Sequence, residues 1–164
     1  MTARTAVKAP FTAEQEAALR KWKEYYPYTN MGLIEALRSV QGWNRMVSPE
    51  AAARVAEIFD LPFNRVWGVV NFFPTFTVKP TGKYRVGLCR GLTCFLKGSN
   101  QMKSCLEKTL GVKQKEVTAD GKFSWEEMEC LGACEQGPAL QVNDRLKGKA
   151  TDTLIQKIID EARE

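Results

Sequence analysis

The 164-residue sequence contains no histidine. That absence removes Ser-His and Cys-His catalytic pairs, together with His-ligated zinc, haem and Rieske centres. Soft-metal chemistry in this chain must therefore rest on cysteine thiolate. No GxxxxGK loop ending in Ser or Thr is present, and no GxGxxG fingerprint, so nucleotide sites of the usual kinds are not encoded. No apolar run approaches the ~18 residues of a membrane span. The longest, Val66 to Phe73, is interrupted by Gly68 and Asn71, and no direct membrane insertion is expected. The N-terminus lacks an apolar signal core. Residues 1–11, with Arg4 and Lys8 and no acid, are expected to form a flexible tail.

Charge is also in short supply as a signal. The formal net charge is +5. Residues 1–80 hold 10 basic and 7 acidic side chains, and residues 81–164 hold 14 and 12, so neither half is a basic arm. Lys113 and Lys115 form no stripe, and no nucleic-acid partner is expected. What is present is a soluble composition, 44% hydrophobic and 26% charged, long enough for one or two small domains.

The first half reads as helices. Thr12 and Gln15 have capping-box spacing, and Leu19, Trp22, Tyr25 and Tyr26 then make one apolar face up to Pro27. A second helix fits Gly32 to Trp43, with Leu33, Ile34, Leu37 and Val40 inward. Ser48-Pro49 is an N-cap with proline at the first helical position, opening a third helix to Phe59. Pro62 opens a fourth to Phe73, and Pro74 and Pro80 bracket an extended connector. Twelve of the sixteen aromatic residues lie in residues 1–80. Most belong to a helical core, while Trp22, Trp43 and Phe76 are candidates for anchoring a protein partner.

The texture changes near Gly82. Tyr84 to Leu88 reads as a strand, Ser99 caps a helix to Leu110, and Gly111 fits its C-terminal cap. Val117 to Trp125 reads as two short strands joined at Asp120-Gly121. Ala139 to Val142 is a further strand before an Asn143-Asp144 turn, and Asp152 to Ala162 closes the chain as a helix. The order β-α-β-β-β-α predicts a small mixed sheet with helices packed on it, hence an α+β chain.

The five cysteines sort by context. Cys89 and Cys94 (C-x4-C) follow the first strand, the second of them in a loop. Cys130 and Cys134 (C-x3-C) lie in a loop between strands, 36 residues beyond Cys94. Two pairs that each follow a strand are expected to converge on one side of a small sheet. Four thiolates on two loops suit an all-cysteine metal centre, with Gly91, Gly132 and Gly137 letting backbone N–H groups turn toward sulfur. Cys105 falls inside the 99–110 helix among Met102, Leu106 and Leu110 and reads as a small core hydrophobe. Structural disulfides need an oxidising compartment, and a redox dithiol usually shows C-x-x-C, which is missing. Spacing leaves structural zinc and an iron–sulfur cluster both open, the latter outside the plant-type ferredoxin order.

Three segments narrow this further: Cys89-Arg90-Gly91-Leu92-Thr93-Cys94, Asp120-Gly121-Lys122-Phe123 and Glu129-Cys130-Leu131-Gly132-Ala133-Cys134. Together they resemble the thioredoxin-like [2Fe–2S] ferredoxin family. Upstream, Leu61-Pro62-Phe63-Asn64-Arg65-Val66-Trp67-Gly68-Val69 looks like the segment that precedes this domain in one branch, the small [2Fe–2S] subunits of NADH:quinone oxidoreductases. The likeness covers roughly residues 12–162.

The resemblance implies an N-terminal helical bundle docking domain over 12–80 and a thioredoxin-like α/β domain over 81–164. It implies Cys89, Cys94, Cys130 and Cys134 as ligands of one [2Fe–2S] cluster, with no place for Cys105. It further implies a partner flavoprotein carrying FMN, a [4Fe–4S] cluster and the NADH site, other iron–sulfur subunits, and a peripheral arm at the cytoplasmic side of the inner membrane. Related subunits serve NAD-linked formate dehydrogenases and electron-bifurcating or NAD-reducing hydrogenases. Arg90 and Lys97 are candidates for tuning the centre, and Pro138 is a candidate cis-proline.

Overall fold

The computed structural model describes residues 10–163, so most of the expected tail over 1–11 lies outside the described residues. Phe11, assigned to that tail, is buried, with its ring edge-on to Trp43 at a centroid distance of 6.1 Å. The chain divides into two compact units between Pro80 and Thr81.

The first unit holds α1 (Ala13–Tyr25), α2 (Leu33–Asn44), α3 (Pro49–Ile58) and α4 (Phe63–Phe72), with a 3-10 turn at Thr29–Gly32 before α2. Thr12 caps α1 reciprocally: Gln15 N–H donates to its Oγ1 at 3.2 Å, and Thr12 N–H donates to Gln15 Oε1 at 3.0 Å. Ser48 caps α3 through Ala51 N–H, with Pro49 at the first turn. These caps satisfy N–H groups that the helix cannot pair internally. Leu19, Leu37, Val40, Val55, Phe59 and Val66 form the centre of the core. Gly32 is required by close approach, since a Cβ there would stand 2.1 Å from the carbonyl oxygen of Trp22.

Two expectations change here. Ile34 is exposed and Ala36 is buried in its place, because the buried stripe of α2 runs through Leu33, Ala36, Leu37 and Val40 at helical spacing. Phe76 is buried in the connector and is not a surface anchor. The connector is held by Gln41, whose Nε2 donates to Thr75 O at 2.7 Å while its Oε1 accepts from Thr77 N–H at 2.8 Å. Trp22 is partly buried, its Nε1 donating to Ser39 Oγ at 3.2 Å.

The second unit holds β1 (Tyr84–Cys89), α5 (Leu92–Leu96), α6 (Ser99–Leu110), β2 (Phe123–Met128), β3 (Leu140–Val142), β4 (Arg145–Lys147) and α7 (Asp152–Arg163). The sheet order is β2-β1-β3-β4, with β1 parallel to β2 and the other pairs antiparallel. Val86 and Leu88 of β1, Phe123 and Trp125 of β2, Leu140, Leu106 of α6 and Ile155 and Ile159 of α7 share one core.

The predicted order β-α-β-β-β-α gains a short extra helix, α5, after β1, and its strands differ. Val117 forms only an isolated bridge to Ser124, and the extra strand is β4, paired back on β3 through the Asn143-Asp144 turn with Asn143 at φ 53°. Thr118 spends its bonding on closing the Asp120-Gly121 turn, exchanging backbone bonds with Phe123 and Gly121, which leaves no ladder for a strand. Gly98, at φ 100°, occupies the N-cap of α6 where Ser99 was expected. Gly111 caps its C-terminus as expected, at φ 68°.

A partly buried ion pair joins α1 to α3, with Arg54 Nε and Nη2 donating to both oxygens of Glu16 at 2.7 and 2.9 Å. The hydrogen bonds from Arg54 outweigh desolvation and hold the Glu16 carboxyl below the usual glutamate range. A lowered folded value means that this contribution is complete above the unfolded pKa, about 4.3, and is lost as pH falls through the folded value. Glu16→Gln is therefore expected to lower stability at neutral pH and to flatten the loss of stability below about pH 4.3, as followed by urea titration across the acid range. Parallel acid curves for parent and variant would contradict this. Leu37→Ala, by opening the helical core, is expected to cost about 2–5 kcal/mol in the same titration.

Candidate metal centre

Strand direction brings the two cysteine pairs together. Because β1 and β2 run parallel in register from Tyr84↔Phe123 to Cys89↔Met128, both end at the same edge of the sheet. β3 runs the opposite way, so its start lies there too, and Cys89 N–H donates to Ala139 O at 3.0 Å. The carboxyl edge of a sheet is the usual place for a bound group in open α/β folds. Cys89 closes β1, Cys94 follows one turn later, Cys130 lies two residues past β2, and Cys134 lies in the loop that leads to β3.

All five cysteines are free thiols. Cys89 and Cys94 are each 2% exposed and pack with Ala133, Ala139 and Leu131 in a small apolar cluster of their own, whereas Cys130 and Cys134 are exposed. The site thus has a buried inner pair and a solvent-facing outer pair. Cys94, expected in a loop, lies instead within α5, a one-turn helix whose Leu92, Phe95 and Leu96 point outward.

Backbone amides converge on the sulfurs. Burial opposes ionisation of Cys89, but N–H groups of Leu131 and Gly91, with the neighbouring thiols of Cys94 and Cys130, outweigh it, and the thiol is held below its ordinary range. Cys94 moves the other way. Burial pushes it up despite a bond from the Ala139 amide, and the nearby Cys89 and Cys134 add to the rise. Gly132, at φ 73°, turns its N–H to Cys130 Sγ at 3.4 Å. Gly91 lies beside both pairs, its Cβ position 3.5 Å from Cys89 Sγ and 3.7 Å from Cys130 Cβ, ordinary contact distances.

Gly137 behaves differently from expectation. Its N–H goes to the Cys134 carbonyl at 3.2 Å and not to a sulfur. The peptide bond to Pro138 is cis. Beyond it, Lys149 N–H donates to Gln136 O at 2.6 Å and Ala150 N–H to Pro138 O at 2.8 Å. The segment after β4 thus braces the loop that carries Cys134. Sequence reasoning missed this brace, along with the Leu131 and Ala139 amides, because backbone donors leave no residue-type signature.

Two cations lie at the site. Arg90, next to Cys89, pairs with Glu129, next to Cys130. Lys97 reaches from the end of α5 to the Cys134 carbonyl, Nζ to O 3.0 Å. Cys105 is partly buried on α6, packed against the main core of this unit and bonded to Thr109, and burial pushes its thiol up.

The donor set is four thiols in two pairs, cushioned by amide N–H groups. Among the described residues, no three or more His, Cys, Asp or Glu side chains gather as one metal ion would require. A dinuclear iron–sulfur cluster takes two thiolates at each iron, and two pairs joined by inorganic sulfide need not close on one point.

Known proteins resemble this chain over most of its length. A family model described as thioredoxin-like [2Fe–2S] ferredoxin matches residues 19–163. An NADH-quinone oxidoreductase subunit of Aquifex aeolicus (strain VF5) is 36% identical over 134 residues, covering 82% of this chain and 84% of that protein. The corresponding NADH-quinone oxidoreductase subunit from Rickettsia bellii (strain RML369-C) is 40% identical over 129 residues, covering 78% and 75%. A crystal structure of an NAD+-reducing [NiFe]-hydrogenase in the air-oxidized state superposes with a TM-score of 0.69 at 20% identity, over 80% of this chain and 23% of that one. This chain therefore spans about a quarter of the hydrogenase chain, and the likeness is one of fold.

Replacing Cys89, Cys94, Cys130 or Cys134 by Ser is expected to remove or alter the bound iron and sulfide and the visible absorption. Cys105→Ser is expected to keep both. Iron and sulfide assays on the five variants check this, and a Cys105→Ser protein that loses its cluster would contradict the assignment.

Proposed function

Because this chain belongs to the thioredoxin-like [2Fe–2S] ferredoxin family, we propose that Cys89, Cys94, Cys130 and Cys134 hold one [2Fe–2S] cluster and that the protein is the electron-transfer subunit of an NADH dehydrogenase module of the NADH:quinone oxidoreductase type. The observation that carries this reading is the convergence of the two cysteine pairs, with amide donors on their sulfurs, at one edge of the sheet. The names of relatives 35–40% identical over most of the chain support the choice of host complex.

When bound, the cluster supplies a one-electron couple whose potential depends on net charge, N–H···S bonds and exposure. The chain's own residues set each of these. Cys89 and Cys94, sealed by Leu131, Ala133 and Ala139, keep water from the inner edge. The amides of Gly91, Leu131, Gly132 and Ala139 stabilise negative charge on sulfur. Cys130 and Cys134 carry the outer edge to the surface, where an electron can pass to or from a docked partner.

NADH chemistry belongs to that partner. In this reading it is a flavoprotein holding FMN, NADH and a [4Fe–4S] cluster, with the cluster of this chain near the flavin. Further iron–sulfur subunits complete a peripheral arm at the cytoplasmic side of the inner membrane. Among the described residues no helix is long and apolar enough to cross a membrane. The equivalent subunit of an NAD-reducing hydrogenase is the second reading, supported by the fold likeness alone.

Protein purified without oxygen is expected to contain iron and acid-labile sulfide in equal amounts and to give a [2Fe–2S] EPR signal on reduction. Stoichiometric zinc without sulfide would replace this reading with that of a zinc-stapled binding module. Co-purification with an FMN-containing subunit is expected from the native host, and a hydrogenase subunit in its place would favour the second reading.

A further inference from the structure

Two cross-links tie the first cysteine loop to the second, one at each end of the site. At one end Arg90 pairs with Glu129, so the residue after Cys89 is fixed to the residue before Cys130. At the other end Lys97, whose N–H closes α5 onto Thr93 O at 3.1 Å, extends its side chain over Gly137. Its Nζ donates to the carbonyl of Cys134 at 3.0 Å and lies 3.5 Å from that of Glu135. A Cβ on Gly137 would stand 3.1 Å from Lys97 Cδ and 3.4 Å from Cys94 Sγ. The lysine stem thus packs closely on this glycine, with the inner sulfur at ordinary contact distance beside it.

The two cross-links differ in charge. The Arg90 guanidinium is neutralised by the Glu129 carboxylate. The contacts of Lys97 are neutral carbonyls, and among the described residues it forms no ion pair. A cluster gains negative charge on reduction, so a net cation held beside it favours the reduced form.

Building on the cluster reading above, we infer that Lys97 is a positioning residue: it fastens the exposed Cys134 loop to the Cys94 helix and holds a positive charge that no carboxylate pairs, among the described residues, at that edge of the cluster, raising its potential. Arg90 and Glu129 form a tie of similar reach but no net charge.

The test uses the full chain with its cluster, in an EPR-monitored redox titration at low ionic strength, where screening is weakest. The rate of iron loss to a chelator is followed in parallel. Lys97→Met, which keeps the stem and removes the charge and donor, is expected to shift the midpoint potential negatively and to release iron several-fold faster. Lys97→Arg is expected to stay close to the parent in both. The double variant Arg90→Gln with Glu129→Gln, which removes no net charge, is expected to leave the potential near the parent value. A Lys97→Met protein with the parent potential overturns the inference. If Lys97→Met holds too little cluster to titrate, Lys97→Arg decides: restored loading supports the tie, and loading no better than Met overturns it. A parent protein lacking iron and sulfide would instead refute the cluster reading itself.

Discussion

The parallel register of β1 and β2 is the interaction on which the site depends. Six consecutive residue pairs, ending at Cys89↔Met128, make two strands stop at the same edge. The chain must then reverse twice there, once toward α5 and once toward β3. Each reversal carries one cysteine pair. Had β2 run antiparallel to β1, the segment over 130–134 would leave from the far edge, and four thiols could not meet without rebuilding the sheet. The helix α6 is what permits the parallel pairing, since parallel neighbours need a long crossover. The Leu106 and Leu110 side chains anchor α6 in the core of this unit.

The site is built as a gradient from dry to wet. Its inner thiols sit on an alanine and leucine floor, and its outer thiols face solvent. An electron carrier needs both: a low-dielectric side where amide dipoles act strongly on sulfur, and an open side for close approach of a partner. The helical unit contributes something separate. Its core is closed by aliphatic and aromatic residues, while Tyr25, Tyr28, Met31 and Phe72 remain exposed. The aromatic excess of residues 1–80 thus divides between interior packing and surface.

Much of this was legible in the residue order because the signals are local. A capping box, prolines at helix starts and helical periodicity placed α1 to α4, and the Cys-x4-Cys and Cys-x3-Cys spacings marked two cysteine pairs that the structure sets at one edge of the sheet. Errors arose where tertiary structure overrides local pattern. Val117 has strand propensity, yet the Thr118 turn consumes the hydrogen bonds that a strand would need. Ile34 matched an apolar stripe one residue away from the one that the core selects. Phe76 was legible as aromatic and not as buried, since Gln41 from a distant helix is what pins the connector over it. The amide donors at the sulfurs were invisible for a simpler reason: every residue but proline has one.

The brace at Lys149 and Ala150 has a consequence for the order of events in the life of the chain. All four thiols have been synthesised by residue 134, but the loop bearing the last of them is also pinned by backbone groups at 149 and 150, and these lead straight into α7, whose Ile155 and Ile159 complete the core. A chain still emerging from the ribosome therefore carries every thiol without the frame that aims them. On the proposed reading, the frame that aims the four thiols is complete only in the finished polypeptide, and its solvent-facing side is the one that carries Cys130 and Cys134.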